Sequence, residues 1–269
     1  MNKMQYFANK HALTFAIAVA FVFILLVIIS FVVVNARWSA DTPGWYMGST
    51  IGRLISIFIL LAMLSRLGWI DTAGFTSLGG RDTWLISLIM LAYAIGVSAY
   101  AMTGNFNFGF TNLALIGAAC LFMMVHAFLE EVTFRGLILH SFERAWSSEK
   151  RDPMRSVLIS SIFFGIYHFI YILGEALPIV LFRMASAFLL GIVFGALVLR
   201  GKSIYPAAVF HGVLNLAGYL NLTNNTAQGK PSSWLLMSLA MIPLAGLGLY
   251  MLRSLPDRPA PRWQHDLSI

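Results

Sequence analysis

The residues from Ala12 to Val34 form an apolar run of 23 residues without a charged side chain. A helix needs about 20 such residues to cross a bilayer, whereas the hydrophobic part of a signal peptide has only about 7–15. We therefore expect a retained first membrane span. The composition extends this expectation to the whole chain, because 11% of its residues are charged against about 25% in soluble domains. The sequence thus predicts an all-α, polytopic integral membrane protein.

Apolar stretches near 20 residues recur along the chain and predict about eight transmembrane helices. Their expected positions are 12–34, 49–67, 83–102, 112–131, 156–173, 179–199, 204–220 and 233–252. The second is the weakest of them, because Arg53 and Arg66 lie within it. The segment after the fourth span is expected to continue it as a helix until Pro153 breaks it.

Positive charge is distributed as expected for a chain whose two ends are cytoplasmic. If the N-terminus is inside, thirteen Lys and Arg residues fall in inner segments and only Arg37 and Lys230 in outer ones. Because Lys and Arg are enriched in cytoplasmic loops, we predict a multi-pass protein of the cell membrane with both termini in the cytoplasm. This topology also accounts for the net charge of +7, so we expect no nucleic-acid partner.

Two adjacent carboxylates and an arginine end the fourth predicted span. An ionisable residue at the centre of a transmembrane helix costs roughly 2.5–3.5 kcal/mol and marks a functional site by default. Arg135 follows Glu131 by four residues, so the two can pair on one helical face. Glu130 points about 100° away at 3.6 residues per turn. We therefore predict that Glu130 carries the chemistry and that Glu131 and Arg135 support it. The alternative is a structural ion pair at a helix end.

Two later spans carry histidines at compatible depths. His168 lies in the fifth span, and His211 and Asn215 share one face of the seventh, about 6 Å apart along its axis. The two histidines would lie roughly 18 and 10 Å from the cytoplasmic ends of their helices. Each could be a hydrogen-bonded packing residue instead, but the common depth near the carboxylates favours one site.

A glutamate, two histidines and an asparagine around one membrane cavity suit hydrolysis. A carboxylate, alone or with a histidine, can take a proton from water, and a second histidine with an Asn amide can stabilise an oxyanion. Alternatively, Glu130, His168 and His211 could bind a divalent metal such as zinc and leave a position open for water. The residue pattern leaves both schemes open, so no cofactor is certain.

These residues, in this order, resemble the CPBP family of intramembrane proteases, which contains the type II CAAX prenyl proteases and bacteriocin-immunity homologues. Its motifs EExxxR, FxxxH and HxxxN stand here as Glu130–Arg135, Phe164–His168 and His211–Asn215. The resemblance implies a conical catalytic cavity open to the cytoplasmic side. It also implies that Glu130 and His168 activate water, and that His211 and Asn215 stabilise the oxyanion.

The motifs divide the chain into four predicted parts. These are N-terminal transmembrane helices over 1–111, a CPBP-like catalytic core over 112–220, the last transmembrane helix over 221–255 and a cytoplasmic tail over 256–269. We predict an intramembrane endopeptidase that hydrolyses a peptide bond near the cytoplasmic surface of the bilayer. Its expected partner is a membrane-associated peptide or protein substrate. Two alternatives stay open: a proton-coupled transporter with these side chains as a relay, and a non-catalytic bacteriocin-immunity protein of the same fold.

Four remaining polar residues are interpreted as packing, hydrogen-bonded or solvated residues without a catalytic role. His126 lies one helical turn before Glu130 and is predicted to hydrogen-bond a neighbour; the alternative is that it tunes the pKa of Glu130. The single Cys120 lies in an apolar run and is predicted to pack there. His140 and Glu143 are expected to be solvated at or beyond the cytoplasmic surface.

Overall fold

The computed structural model describes residues 2–101, 113–146, 153–223 and 231–255, which are helical apart from short connections. The α-helices in these ranges are α1 (Lys3–Lys10), α2 (Ala12–Asn35), α3 (Pro43–Arg66), α4 (Arg81–Ala101), α5 (Leu113–Glu131), α6 (His140–Ala145), α7 (Pro153–Tyr167), α8 (Leu177–Gly201), α9 (Tyr205–Thr223), α10 (Pro231–Ala240) and α11 (Ile242–Arg253). A π-helical segment, Val132–Leu139, joins α5 to α6, and a 3-10 segment, His168–Leu173, follows α7. The predicted tail and the boundary between 111 and 112 lie outside the described residues.

Within the described ranges, seven helices or helix runs are long and apolar enough to cross a membrane. They are Ala12–Asn35, Pro43–Arg66, Arg81–Ser98, Leu113–Ala145, Pro153–Leu173, Leu177–Gly201 and Leu235–Arg253. The prediction of an all-α, polytopic membrane protein is confirmed. The predicted span 204–220 is present as helix α9 but is not one of the seven, so the count of eight stays a prediction.

The outer surface of the helices is apolar, as a lipid environment requires. Helix α2 buries Phe15 and Phe23 against its neighbours, whereas Phe21 on its other side is 67% exposed. Phe58 on α3 is exposed in the same way. Because a helix pairs its own backbone groups, such a face can lie in hydrocarbon without leaving polar groups unsatisfied.

Local signals explain why α3 begins earlier than its apolar run. The Thr42 hydroxyl accepts a hydrogen bond from the Trp45 backbone N–H at 3.2 Å, which caps the helix start. Pro43 follows in the first turn, where its missing N–H costs nothing. Helix α3 therefore includes polar residues before the predicted start at 49.

Three local geometries differ from the continuous α-helices that the sequence predicts. The fourth span becomes π-helical over Val132–Leu139 before it returns to α-helix. The fifth tightens into a 3-10 helix at His168, and the last is divided at Met241, just before Pro243. Single π turns and short 3-10 stretches within helices often mark functional sites or hinges. The first two changes both occur at residues of the candidate site.

Small residues allow α7 and α8 to approach closely. A Cβ on Gly191 would lie 2.9 Å from Ser161 Cβ, and one on Gly195 would lie 2.8 Å from Val157 Cγ1. Membrane helices without a hydrophobic driving force between them commonly associate through such small residues. The two glycines thus set the distance between α8 and α7, the helix that leads directly into His168.

We expect Gly191→Ala to destabilise the protein by about 1–3 kcal/mol, the usual cost of overpacking. The new methyl group would also lie 3.1 Å from Ser161 Cα, a backbone atom that cannot rotate away. Gly246→Ala is the matched control, because it is helical and no atom lies within 4 Å of its Cβ position. That change is expected to stabilise by about 0.5–1 kcal/mol. Thermal unfolding in detergent checks both, and equal shifts for the two variants would contradict the packing argument.

Candidate active site

The two adjacent glutamates end α5 in the interior of the helix bundle. Glu130 is 2% exposed and Glu131 is fully buried. The π-helical segment begins at the next residue, Val132. Buried carboxylates must be paired or hydrogen-bonded to be tolerated, so their partners define what this region can do.

Glu131 forms the predicted ion pair with Arg135. The Arg135 Nε atom lies 3.2 Å from Glu131 Oε2, but the two are not aligned as a hydrogen bond. The guanidinium also donates from Nη2 to the Gly191 carbonyl at 3.2 Å. Its carbon lies 4.5 Å from the Phe164 ring centroid and 5.4 Å from that of Phe194. Arg135 is thus fixed by charge, a carbonyl and two aromatic faces.

His211 on α9 bridges the two glutamates. Its Nδ1 lies 2.9 Å from Glu131 Oε1 and its Nε2 lies 3.3 Å from Glu130 Oε2. The sequence indicates that adjacent helical carboxylates cannot both face one point, and the imidazole resolves this because its two nitrogens point in different directions. Both nitrogens can donate only if the ring is doubly protonated. If the ring carries one proton, the carboxyl group that faces its other nitrogen must be protonated for that contact to be a hydrogen bond.

Phe164 is the common neighbour of all three motifs. Its ring packs edge-on against His168, with centroids 4.9 Å apart, and against His211, with centroids 5.6 Å apart. It also lies over the Arg135 guanidinium. The phenylalanine of FxxxH is therefore the contact by which α7 positions residues from the other two motifs.

His168 has one ring nitrogen fixed and one available. Its Nδ1 lies 2.8 Å from the Phe164 carbonyl oxygen. Because a carbonyl can only accept, Nδ1 carries the proton, and Nε2 of the neutral ring keeps a lone pair. His168 is partly exposed and shares its neighbour Phe164 with His211, which contacts Glu130. It is therefore the candidate base with an accessible acceptor atom.

Asn215 lies one turn after His211 on α9 and is half-buried. Among the residues that the structure describes, its side chain makes no hydrogen bond to the glutamates or histidines. Both His211 nitrogens face carboxylates in this arrangement. The oxyanion role of His211 and Asn215 stays a prediction, and it requires His211 to release at least one carboxylate during the reaction.

Two residues outside the motifs join the same network. Arg53 on α3 is 6% exposed and donates from Nε to His126 Nδ1 at 3.3 Å. His126 Nε2 lies 3.2 Å from Glu130 Oε1. His126 thus hydrogen-bonds a neighbour, Arg53, as predicted, and it also contacts Glu130. In the sequence Arg53 is a charge inside an apolar span, a feature that by itself only weakens the prediction of that span.

The expectation for Glu143 is wrong, because its side chain is buried rather than solvated. It lies on α6, which packs against α1, α2 and the π-helical segment. His140, at the start of α6, is half-buried, with its Nε2 lying 2.9 Å from the Thr72 hydroxyl. The helix that follows the glutamates is therefore packed against other helices at Glu143 rather than solvated there.

The candidate zinc ligands do not form a metal site in this arrangement. Among the described residues, no group of three His, Cys, Asp or Glu side chains is placed to hold a metal ion. His168 directs Nδ1 to a backbone carbonyl, and both nitrogens of His211 face glutamates. Zinc binding by Glu130, His168 and His211 therefore stays a prediction.

The fold and the site define a multi-pass helical membrane protein with a buried cluster of glutamates, histidines and arginines. Residues 111–217 match the model of the family described as type II CAAX prenyl endopeptidase Rce1-like. This range contains all three motifs and confirms the resemblance drawn from them. The match covers less than half of the chain and leaves α1 to α4 outside it. No curated protein shows a significant match to the chain.

Proposed function

We propose that the chain is an intramembrane endopeptidase in which Glu130 and His168 activate water. The match to a protease family supports a peptidase of the CAAX intramembrane kind. The observation that carries the proposal is the placement of Glu130, which is buried and contacted by two histidines while His168 lies nearby with a free Nε2. Ionisable groups buried within membrane helices are costly and by default mark a functional site.

In the proposed mechanism, a water molecule lies between the Glu130 carboxylate and His168 Nε2. Glu130 takes a proton from it as general base, and the water oxygen forms a bond to the peptide carbonyl carbon. The carbonyl oxygen becomes an oxyanion, which the Asn215 amide and a His211 N–H stabilise. The tetrahedral intermediate then breaks its C–N bond, and the proton held by Glu130 passes to the leaving amine.

The substrate we propose is a membrane-associated peptide or protein cleaved near the cytoplasmic surface of the cell membrane. The excess of Lys and Arg in the predicted inner loops supports cytoplasmic termini. The apolar run of the fourth span extends from Leu113 to Ala145 and includes the motif glutamates, so cleavage near the cytoplasmic surface rests on the predicted topology. The prenylated tail in the family's description is one form of such a substrate, and processing of a secreted peptide is another.

A comparison of membrane peptides tests this function in cells. Cells lacking the chain would be complemented with wild type, Glu130→Ala or His168→Ala, and their membrane-associated peptides measured by mass spectrometry. We expect at least one uncleaved precursor to accumulate in both variants and to be cleaved by purified wild type in liposomes. His140→Gln, outside the network, serves as control. The assignment is wrong if both variants process every peptide as wild type does.

Repeating the liposome assay with a chelator decides the zinc prediction.

One observation favours proton-coupled transport as a second candidate. Arg53, His126, Glu130, His211 and Glu131 follow one another in contacts of 2.9–3.3 Å, the arrangement that a proton relay requires. A liposome flux assay with Glu130→Gln separates the two functions. Loss of transport without any defect in peptide cleavage would favour the carrier.

Bacteriocin protection that survives Glu130→Ala would instead favour the non-catalytic immunity protein.

A further inference from the structure

Arg53 carries a buried charge in the middle of a membrane-spanning helix without a directly paired carboxylate. The residue is 6% exposed, and its Nη1 atom is buried without a hydrogen-bond partner among the described residues. None of the ion pairs within the described ranges includes it. A buried arginine that served only to stabilise the fold would be expected to pair with an anion. Arg53 instead donates from Nε to a histidine ring at 3.3 Å.

This donation fixes the proton on His126. The Nε atom of an arginine can only donate, so His126 Nδ1 must accept and cannot carry a proton. The neutral ring then has its proton on Nε2, the nitrogen that lies 3.2 Å from Glu130 Oε1. Arg53 thus determines that His126 presents an N–H group, and not a lone pair, to the glutamate.

The aromatic ring of Phe122 holds the two side chains in this relation. It stacks on the His126 ring with an interplanar angle of 5° and centroids 5.5 Å apart. The Arg53 guanidinium carbon lies 5.8 Å from the same ring centroid. Phe122 is itself buried, so the orientation of His126 is set by packing as well as by the hydrogen bond.

We propose that Arg53 and His126 are positioning residues that orient the Glu130 carboxylate toward its water. The inference rests on the proposed peptidase function. His126 holds Oε1, His211 lies against Oε2, and the carboxylate is thereby fixed from two sides. Since Arg53 lies on α3, outside the matched range 111–217, the N-terminal helices take part in building the site and are more than a membrane scaffold.

Imidazole nitrogen NMR tests the first link without requiring any substrate. Protein labelled with nitrogen-15 histidine is measured in micelles, and the His126 signals are assigned by their loss in His126→Phe. We expect wild type to show Nε2 protonated and Nδ1 unprotonated, and Arg53→Met to lose this fixed tautomer. Arg66→Met, an exposed arginine on the same helix, should leave the signals unchanged. An unchanged His126 spectrum in folded Arg53→Met overturns the proposal.

Kinetics on an identified peptide substrate test the second link. Arg53→Met and His126→Phe should each lower kcat by about 10²-fold, the effect of a slightly misplaced catalytic group, with KM unchanged. His126→Gln should recover part of kcat, because its amide can still donate toward Glu130. A folded His126→Phe protein with wild-type kcat overturns the positioning role. If wild type hydrolyses nothing, the peptidase assignment fails, whereas the NMR result still decides whether Arg53 sets the His126 tautomer.

Discussion

Replacing Glu130 with Gln is expected to lower kcat for peptide hydrolysis by about 10²–10⁴-fold, the contribution typical of a general base. The amide cannot take a proton from water, and the substitution also removes the negative charge that faces His126 and His211. The protein should stay folded, because Gln has nearly the shape of Glu and its polar atoms still find partners.

The surrounding histidines explain why the amide fits. The Gln oxygen can face His126 Nε2, which carries a proton, at the position of Oε1. Its NH₂ group then faces His211 Nε2, which can accept if its ring proton lies on Nδ1. That Nδ1 proton is donated to Glu131 Oε1, 2.9 Å away. All three contacts stay paired, so the change isolates the loss of the base from a loss of structure.

Steady-state kinetics in liposomes measure the effect, with thermal unfolding as the check on folding. Glu175→Gln is the matched control, since Glu175 belongs to a separate, more exposed ion pair with Arg183. It should keep kcat within a few-fold of wild type. A Glu130→Gln enzyme that retains wild-type kcat would exclude Glu130 as the base, and a mechanism based on His168 alone would then have to be considered.

Helical spacing was sufficient to predict the contacts within a single helix. The pairing of Glu131 with Arg135 follows from their separation by four residues, and the structure contains it. The contact between His126 and Glu130 has the same spacing of four residues. The number and placement of apolar runs also predicted most of the spans, because a bilayer imposes a minimum length on each.

Contacts between helices could not be predicted in the same way, because they depend on how each helix is rotated about its axis. No spacing rule indicates that His211 faces both glutamates, or that the Phe164 ring contacts both histidines. Arg53 is separated from His126 by 73 residues, so their contact depends on how α3 packs against α5. The π-helical turn after Glu131 likewise has no signal in the residue pattern.

Replacing Arg135 with Met is expected to destabilise the protein by about 3–5 kcal/mol, the cost of removing one partner from a buried ion pair. Glu131 is fully buried, so its charge would then be compensated by His211 alone. The methionine side chain can fill the space between the rings of Phe164 and Phe194, so lost packing is a smaller part of the cost. The remaining cost is therefore electrostatic.

A second substitution separates this electrostatic cost from packing. In the double variant Glu131→Gln, Arg135→Met the uncompensated charge is gone, and with it the penalty of leaving one partner of a buried pair charged and alone. We expect the double variant to recover most of the stability that Arg135→Met loses, which appears as a large coupling energy in a double-mutant cycle. Equilibrium unfolding in mixed micelles measures all four proteins. If the two single effects simply add, the pair contributes nothing beyond its separate side chains, and Arg135 must stabilise the protein through Gly191 and its aromatic neighbours instead.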